Sequence, residues 1–313
     1  MSIILKNTFI MSIILKETLS ENLKETLSEN LNEILNEIQQ ACISISNEIR
    51  YSDSLDLSEI EGKHNNSGDN VKKLDLIANN ILKYKLMKCR HIRTIGSEEE
   101  NYLIPTGFVG GKYLLCFDPL DGSSNISVNI TTGTIFAVYE YINDEIQSGR
   151  NLVMAGYCLY GGSTQLVVAR NTVDIYSLGK DGFKKTHVDW KIPVQGKYYS
   201  INESNKHIFV DEKYNQIIET LIKKKYSSRW VGSMVADGHR TLIKGGFFSY
   251  PGNKNNPDGK IRLLYEAYPF AYIFEISGGE SSNGEVNILD VPFPTEIHQK
   301  TPIILSSRNE FDL

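Results

Sequence analysis

Apolar residues recur at helical spacing in the first part of the chain. Leucine and isoleucine are interspersed with Glu, Lys and Asn from about residue 16 to residue 50, which predicts a long helix. A polar stretch at 51–70 has the composition of a mobile loop, and a second helix is predicted over 71–88. The apolar positions on one side of that second helix are Val71, Leu74, Ile77, Ala78 and Ile81.

The N-terminal arm contains internal repeats. "MSIILK" occurs at 1–6 and again at 11–16, and "KETLSENL" occurs at 16–23 and again at 24–31. A period of eight residues turns by roughly 80° per repeat on a helix of 3.6 residues per turn, so the repeated leucines do not share one straight face. A long coiled coil is therefore not favoured. Two interpretations stay open: a duplication that lengthens the helix, or an arm that binds a partner.

Short apolar runs separated by turn residues follow these helices and predict strands, beginning with "HIRTIGSEEE", "KYLLCFDPL" and "TGTIFAVYEYI". Beyond about residue 200, strand-like and helical segments alternate. The pattern predicts a layered fold that is α+β in its first part and α/β in its second. We place a domain boundary near residue 195, which separates a repetitive helical arm at 1–40, an α+β domain at 41–195 and an α/β domain at 196–313.

Composition and charge narrow the class of protein. With 313 residues, 41% of them hydrophobic, the chain has enough apolar residues for one large or two medium domains. The net charge is −5 and no long basic run is present, so nucleic acid is not an expected partner. No apolar run is long enough for a membrane span. The four cysteines show no zinc-binding spacing, and a reducing, cytoplasmic setting is expected.

The stretch "CFDPLDGSSNIS" carries the most informative chemistry. Asp118 and Asp121 lie at the end of an apolar, strand-like run, and Gly122 permits a tight turn after them. The following Ser-Ser-Asn residues are typical of a helix N-cap, where free N–H groups bind anions. Carboxylates beside an anion site suggest hard oxygen ligands for Mg²⁺ or Mn²⁺. An ordinary polar turn remains the alternative at this point.

Other acids are candidates for the same chemistry. "IGSEEEN" places Glu98, Glu99 and Glu100 after a strand-like run, where either a solvated turn or a functional cluster is possible. Asp75 borders the apolar face of the second predicted helix, so burial would raise its pKa and suit it to act as a base. Glu266 follows an apolar run, and a buried charge there requires a partner or a metal.

Taken together, these motifs resemble the class 1 fructose-1,6-bisphosphatase family, within the Mg²⁺-dependent, lithium-sensitive phosphatases. The resemblance includes "GDNVKKLDLIANN", "GKYLLCFDPLDGSSNI", "RWVGSMVADGHRTLIKGGFFSYP" and "GKIRLLYEAYPFAYIFEISGG", and it extends in order from about 41 to 307. It implies a fructose-1,6-bisphosphatase-like sugar phosphatase fold, with two domains of alternating helix and sheet layers. The implied reaction is hydrolysis of the 1-phosphate of fructose 1,6-bisphosphate to fructose 6-phosphate, a step of gluconeogenesis.

The resemblance also implies roles for individual residues. The positions that match the metal ligands, for two or three Mg²⁺ ions or alternatively Mn²⁺, are Glu98, Asp118, the carbonyl of Leu120, Asp121 and Glu266. Asp75 and Glu99 match the pair that orients and deprotonates the attacking water. The positions that match the binding sites of the two phosphates are Gly122, Ser123, Ser124, Asn202, Arg229, Trp230, Tyr250, Lys260 and Arg262.

Two positions of the 6-phosphate pocket differ from the family pattern. Trp230 replaces a tyrosine, and Asn205 lies near the place of another tyrosine. An indole N–H still donates one hydrogen bond, so these changes concern substrate affinity more than the reaction. In the family the arginine that matches Arg229 enters the site of a neighbouring subunit, which implies a homo-oligomer, by resemblance a homotetramer.

Regulation and location are further expectations from the resemblance. Glu140 replaces an arginine of the animal AMP site, so AMP inhibition is expected to be weak or absent. The segment "EYINDEIQSGRNL" is short and has no cysteine, which favours the cytosolic type over the chloroplast type. The polar segment 52–70, with Asp69 at its end, matches a mobile lid over the site.

Two other functions remain open at this stage. The same site could accept sedoheptulose 1,7-bisphosphate, alone or together with the fructose substrate. A protein of another class, a scaffold that retained the fold and uses its repetitive arm, is the alternative outside enzymes. The complete set of acidic residues favours a hydrolase over such a scaffold.

Overall fold

The structure is a computed structural model that describes residues 28–51, 60–64 and 70–311. The repeats of the N-terminal arm, apart from the last residues of the second "KETLSENL" copy, lie outside these ranges, as does Asp69 of the expected lid. Residues 60–64 of the expected loop form the strand β1 (Ile60–His64), which pairs antiparallel with β2 (Asn70–Lys72), so the prediction of a loop is wrong at these positions. None of the helices in the described ranges has the length and apolarity needed to cross a bilayer.

Five α-helices are present in the described residues: α1 (28–50), α2 (Lys73–Leu86), α3 (Lys213–Lys223), α4 (Met234–Lys244) and α5 (Tyr268–Ser277). The second predicted helix is confirmed as α2, but its buried face is rotated from the expected one. Ile77 and Ile81 are only half-buried, whereas Asp75 and Asn79 are buried with three of the leucines of the helix. The periodicity of apolar residues could not show this, because two polar side chains belong to the inward face.

The large sheet has eight strands in the order β10-β9-β8-β7-β6-β5-β3-β4. Their bounds are β3 (Ile92–Ser97), β4 (Ile104–Pro105), β5 (Tyr113–Asp121), β6 (Thr132–Glu140), β7 (Leu152–Tyr160), β8 (Thr164–Ala169), β9 (Val173–Gly179) and β10 (Gly182–His187). Only β3 and β5 run parallel; the other pairs are antiparallel.

Both faces of this sheet are covered, which explains the nearly continuous apolar sequence of its central strands. On β5, Leu114 and Cys116 belong to the core formed with α4 and α5. The alternate residues Tyr113, Leu115 and Phe117 belong to a second core formed with α1 and α2. The alternation has the period of two that a strand requires.

A second sheet of five strands has the order β12-β11-β13-β17-β15. Its strands are β11 (Tyr198–Ser200), β12 (Ser227–Ser228), β13 (Phe247–Tyr250), β15 (Glu280–Ser282) and β17 (Ile303–Ser306). It packs against α4 and α5 on one side and against α3 on the other. Helix and sheet layers therefore alternate through the molecule, and the predicted fold class is confirmed. A short ribbon of β14 (Ile261–Arg262) and β16 (Lys300–Thr301) leads into α5.

Candidate active site

A cavity of about 460 Å³ lies where the C-terminal ends of β3 and β5 meet the N-termini of α2 and α4. Most of the site residues expected from the sequence line it: Asp75, Glu98, Glu99, Asp118, Leu120, Asp121, Gly122, Ser123, Ser124, Trp230, Tyr250, Lys260, Arg262 and Glu266. Asn202 and Arg229 are not among its lining residues. The fold thus brings together acids that lie nearly 200 positions apart in the chain.

An irregularity in β5 turns its two aspartates toward the same space. Asp118 pairs with Ile135 of β6 and Asp121 pairs with Gly133, so three steps along β5 match two steps along β6. In a regular strand, residues three apart point to opposite faces, but one extra residue restores them to the same face. The hydroxyl of Thr134 donates to the carbonyl of Pro119 at 2.8 Å and supports the bulged backbone.

The two aspartates are held by local hydrogen bonds. The Leu120 N–H donates to Asp118 Oδ1 at 2.9 Å, which closes a tight turn within the bulge. Asp121 Oδ2 accepts from the Ser233 hydroxyl at 2.7 Å and from the Val235 N–H at 2.8 Å. Asp121 is therefore fixed by the start of α4, and its orientation depends on that helix.

Glu266 enters from a different layer. It lies in a π-helical turn, Leu263–Ala267, that precedes α5, and the backbone N–H of Arg262 donates to its Oε2. Turns of this type place a side chain out of register with a regular helix and are frequent at functional sites. The turn directs a nearly buried carboxylate toward the aspartates of β5.

The carboxylates raise one another's pKa values. Burial raises the pKa of Asp118 well above its usual range, and the nearby carboxylates of Glu98 and Asp121 raise it further. Burial also raises the pKa of Asp121, although the Val235 N–H and the Ser233 hydroxyl lower it in part. Burial, followed by repulsion from Glu98 and Asp121, raises the pKa of Glu266 to about 8.

This arrangement fits a divalent cation. One oxygen each from Asp118, Asp121 and Glu266 lies within 4.8 Å of the others. Buried carboxylates at this spacing are unfavourable when they are all ionised and alone, whereas a shared cation would offset both the desolvation and the repulsion. An all-oxygen donor set is the kind that Mg²⁺ and Mn²⁺ prefer.

The three adjacent glutamates separate after β3. Glu98 and Glu99 line the cavity, whereas Glu100 forms an ion pair with Lys83 and accepts a hydrogen bond from Asn79, both on α2. The Glu99 N–H donates to the Ser97 hydroxyl at 3.2 Å, which stabilises the turn. Two of the three carboxylates are thus available to the site and the third holds the turn against α2.

Asp75 belongs to the first turn of α2 and lines the cavity with only 5% of its surface exposed. A carboxylate at this helix end is favoured by the partial positive charge of the helix N-terminus. Asp75 and Glu99 therefore border the same space from α2 and from the turn after β3.

The expected helix after Asp121 differs in detail from the prediction. It is a short 3₁₀ helix, Ser123–Val128, whose N-cap is Gly122, and no side chain caps it. The expectation that serine or asparagine side chains cap this helix is wrong, because Gly122 is the N-cap, with φ 74°, and Ser123 is already inside the helix. A Cβ at Gly122 would lie 2.7 Å from Ser233 Cβ, so glycine is also needed for the contact with α4.

The residues expected to bind the second phosphate are divided. Trp230, Tyr250 and Lys260 line the cavity, and the rings of Trp230 and Tyr250 lie 5.6 Å apart. Asn202 accepts hydrogen bonds from the Ser204 N–H and hydroxyl at the start of a 3₁₀ turn. Arg229 is exposed and its guanidinium lies over the ring of Tyr198 at 5.5 Å. Neither Asn202 nor Arg229 therefore lines its own chain's cavity.

Several lining residues were not singled out by the sequence: Gly232, Ser233, Met234, Asp237, Phe248 and Ile261. A signal was present for two of them. Ser233 precedes an amphipathic segment, as an N-cap does, and Asp237 lies in the first turn after it. Ser233 does occupy the N-cap position of α4, but its hydroxyl donates to Asp121 and makes no capping bond to the helix.

Comparison with known proteins agrees with this geometry. A family model described as "Fructose-1-6-bisphosphatase, N-terminal domain" matches residues 10–187, and one described as "Fructose-1-6-bisphosphatase, C-terminal domain" matches residues 192–313. The solved structure of Leishmania major fructose-1,6-bisphosphatase in holo form superimposes with a TM-score of 0.86 at 36% identity, over 90% of this chain and 92% of that one.

Curated relatives are more similar still in sequence. Fructose-1,6-bisphosphatase class 1 of Persephonella marina is 44% identical over 285 residues, which is 88% of each chain. Fructose-1,6-bisphosphatase 1 of Rattus norvegicus is 43% identical over 286 residues, or 85% of this chain and 77% of the rat protein. With both family models and these relatives covering most of its length, the chain belongs to the fructose-1,6-bisphosphatase family.

Proposed function

We propose that this protein hydrolyses the 1-phosphate of fructose 1,6-bisphosphate to fructose 6-phosphate and phosphate, a step of gluconeogenesis. One observation carries the proposal: the buried oxygens of Asp118, Asp121 and Glu266 converge within 4.8 Å in a cavity that Lys260 and Arg262 also line. Carboxylates that bind cations and basic residues that bind phosphate are the two requirements for a sugar bisphosphatase. Sedoheptulose 1,7-bisphosphate is the alternative substrate.

Mg²⁺ is the proposed cofactor, with two or three ions per subunit and Mn²⁺ as a substitute. Its ligands are the carboxylates of Glu98, Asp118, Asp121 and Glu266 and the carbonyl of Leu120. When bound, the ions would lower the pKa of water and offset negative charge on the phosphoryl and leaving oxygens.

Asp75 and Glu99 are proposed to hold the attacking water and to accept its proton. Both line the cavity beside the buried aspartates, from α2 and from the turn after β3. A carboxylate within reach of the water can take the proton as the new bond to phosphorus forms. Asp75 lies on a helix and Glu99 on a hydrogen-bonded turn, so both are held in place before substrate arrives.

The 1-phosphate is proposed to bind the backbone of Gly122, Ser123 and Ser124, with Arg262 close to it. Gly122 allows the chain to approach closely, and Ser123 and Ser124 begin the 3₁₀ helix with N–H groups available to an anion. Arg262 is 3% exposed and is held by the same ribbon that leads to Glu266. Its planar guanidinium suits a phosphate better than a lysine would.

The 6-phosphate is proposed to bind Asn202, Trp230, Tyr250 and Lys260, together with Arg229 from a neighbouring subunit. Arg229 does not line its own chain's cavity and is exposed, as a residue that serves a neighbour would be. The protein is therefore proposed to be a homo-oligomer, by family resemblance a homotetramer. A cytoplasmic location is proposed separately, from the resemblance to the cytosolic type. The division into an arm, a metal-binding domain ending near 195 and a substrate-binding domain also remains a proposal.

Phosphate release with Mg²⁺ tests the function directly. The purified protein is incubated with fructose 1,6-bisphosphate and, separately, with sedoheptulose 1,7-bisphosphate. Release from the fructose substrate with higher kcat/KM supports the proposal, and preference for the seven-carbon sugar supports the alternative. Release at the background rate from both would contradict the enzyme and favour a scaffold.

A subunit-mixing experiment tests the place of Arg229. Arg229→Ala subunits and Glu99→Gln subunits are mixed under conditions of subunit exchange. If Arg229 serves the neighbour, an Arg229→Ala subunit beside a Glu99→Gln subunit has a complete site, and activity at low substrate rises above that of either variant alone. Activity equal to the average of the two variants would place Arg229 in its own subunit or outside the site.

A further inference from the structure

An ion pair between a buried aspartate and a partly exposed arginine holds the loop that leads into α4. Asp237, which is fully buried on the first turn of α4, accepts hydrogen bonds from the backbone N–H groups of Val231 and Gly232 at 2.9–3.1 Å. Its carboxylate also pairs with the guanidinium of Arg240, one turn further along the helix. The carboxylate therefore holds two consecutive peptide groups of the loop against α4.

Arg240 extends this contact to the beginning of the same loop. Its Nη2 donates to the carbonyl of Arg229 at 3.1 Å and to the Ser200 hydroxyl at 3.0 Å. Ser200 is the last residue of β11, so the loop is also tied to the second sheet. We call the pair of Asp237 and Arg240 the loop clamp.

The two ends of the clamped loop serve different parts of the proposed site. At its start are Trp230, which lines the proposed 6-phosphate pocket of the same chain, and Arg229, which is proposed to enter the pocket of a neighbouring subunit. At its end is Ser233, whose hydroxyl donates to Asp121 Oδ2 at 2.7 Å. Gly232, with φ 84°, supplies the turn between them, in a backbone region that other residues rarely adopt.

We propose that Asp237 and Arg240 are positioning residues that set the metal ligand Asp121 and the 6-phosphate pocket together. Neither end of the loop can shift without straining the loop clamp. Binding of a cation at Asp121 therefore favours the productive geometry of the 6-phosphate pocket, and binding of phosphate in the pocket favours that of Asp121. For the substrate, this inference rests on the proposed function; for the cation, it rests on the geometry of Asp121 alone.

The energetic cost of the clamp supports a positioning role. Burial raises the pKa of Asp237, and the Gly232 N–H and Arg240 lower it only in part. An ion pair with a buried carboxylate adds little net stability compared with apolar residues of similar volume, because the carboxylate loses its water. Specific orientation of the loop is what the hydrogen bonds provide and what apolar packing alone would not.

The test uses full-length protein and two readouts that do not need turnover. The chain has two tryptophans, so a Trp190→Phe background leaves Trp230 as the only reporter of the loop. In that background, Asp237→Asn is compared with the control Asp174→Asn. Asp174 lies on β9 and does not line the cavity. Its carboxylate accepts hydrogen bonds from the Asp189 N–H at 3.0 Å and from Lys185 at 2.6 Å. Mn²⁺ affinity and Trp230 emission are measured for both.

Asp237→Asn is expected to weaken Mn²⁺ binding by about 10-fold, as for a residue that orients a metal ligand. Trp230 emission is expected to shift to longer wavelength, and Asp174→Asn is expected to change neither. In a double-mutant cycle, Ser233→Ala and Asp237→Asn should be clearly less than additive in Mn²⁺ affinity, since both act through Asp121. If Asp237→Asn does not fold, Arg240→Met replaces it in the same measurements.

The proposal is overturned if a folded clamp variant keeps Mn²⁺ affinity and Trp230 emission within about two-fold and a few nanometres of the control. Additive effects in the cycle would also overturn it, because they would separate Asp237 from Asp121. KM for fructose 1,6-bisphosphate, expected to rise about 10-fold, is measured last. If the parent protein releases no phosphate, the proposed function fails, while the Mn²⁺ and emission results still decide the clamp.

Discussion

The carboxylate cluster and the proposed 6-phosphate pocket line one cavity but are built in different ways. Asp118, Asp121 and Glu266 are buried or nearly so, and hydrogen bonds from β5, α4 and the turn before α5 hold them. In the 6-phosphate pocket, Lys260 and Arg229 are exposed, and Arg229 lies outside its own cavity.

This difference follows from what each region is proposed to bind. Cations of small radius need oxygens at fixed short distances, which only rigid, buried elements can provide. A phosphate carried by the substrate is bound by long cationic side chains that can adjust and can come from another subunit. Changes in the carboxylate cluster should therefore alter kcat and metal dependence, and changes in the pocket should alter mainly KM.

The largest effect is expected for Glu99→Gln. Loss of the proposed base should lower kcat by about 10²-fold or more while KM changes little. Steady-state phosphate release at saturating Mg²⁺ measures both constants, with Glu100→Gln as the matched control because Glu100 faces Lys83 on α2. Equal effects of the two substitutions would remove the special role of Glu99.

Glu266→Gln is expected to raise the Mg²⁺ concentration for half-maximal activity by about 10-fold, since one ligand loses its charge.

In the metal-free protein, the same substitution is expected to increase stability near pH 8. The pKa of Glu266 is raised to about 8 from 4.5, so the folded state retains a proton that the unfolded state releases. Its contribution to stability is therefore lost progressively as pH rises from about 4.5 to 8.

Thermal unfolding in chelator checks this sign. Metal-free Glu266→Gln should have a higher Tm than the parent protein at pH 8, and the two should converge near pH 4.5. A lower Tm for the variant at pH 8 would mean that Glu266 is stabilised by charge in the absence of metal, against the repulsion argued above.

Arg229→Ala is expected to raise KM by about 10-fold with kcat within about three-fold of the parent. A charge-assisted hydrogen bond to phosphate has a net value of about 1.5–3 kcal/mol, and the lower end of this range corresponds to about 10-fold. Steady-state kinetics with fructose 1,6-bisphosphate measure it. A fall in kcat with unchanged KM would connect Arg229 to the reaction itself rather than to binding.

The smallest effect is expected for Trp230→Tyr. This substitution replaces one hydrogen-bond donor by another. The ring of Tyr250, whose centre lies 5.6 Å from that of Trp230, already borders the same pocket. KM should change by no more than about five-fold, because one neutral hydrogen bond contributes about 1 kcal/mol. The same kinetics, with Trp230→Phe as control, separate the hydrogen bond from the size of the ring.

The order of residues along the chain was enough to indicate which residues could form the site. The order of apolar runs indicated a layered fold, and the acids and the Gly-Ser-Ser turn stood out because such groups are costly to bury without a ligand. Their resemblance to a known family connected them to a reaction. The three adjacent glutamates, however, gave no physical basis for separating Glu100 from its neighbours, and only the resemblance did so.

The orientation of these residues depends on how the strands and helices pack. Asp118 and Asp121, three apart on a strand, would face opposite sides without the bulge that pairing with β6 creates. Glu100 is turned away by Lys83 of α2, and Asp121 is held by Ser233, 112 residues further along the chain. A hydrogen bond between residues so distant depends on the packing of whole layers, which no local pattern of residues specifies.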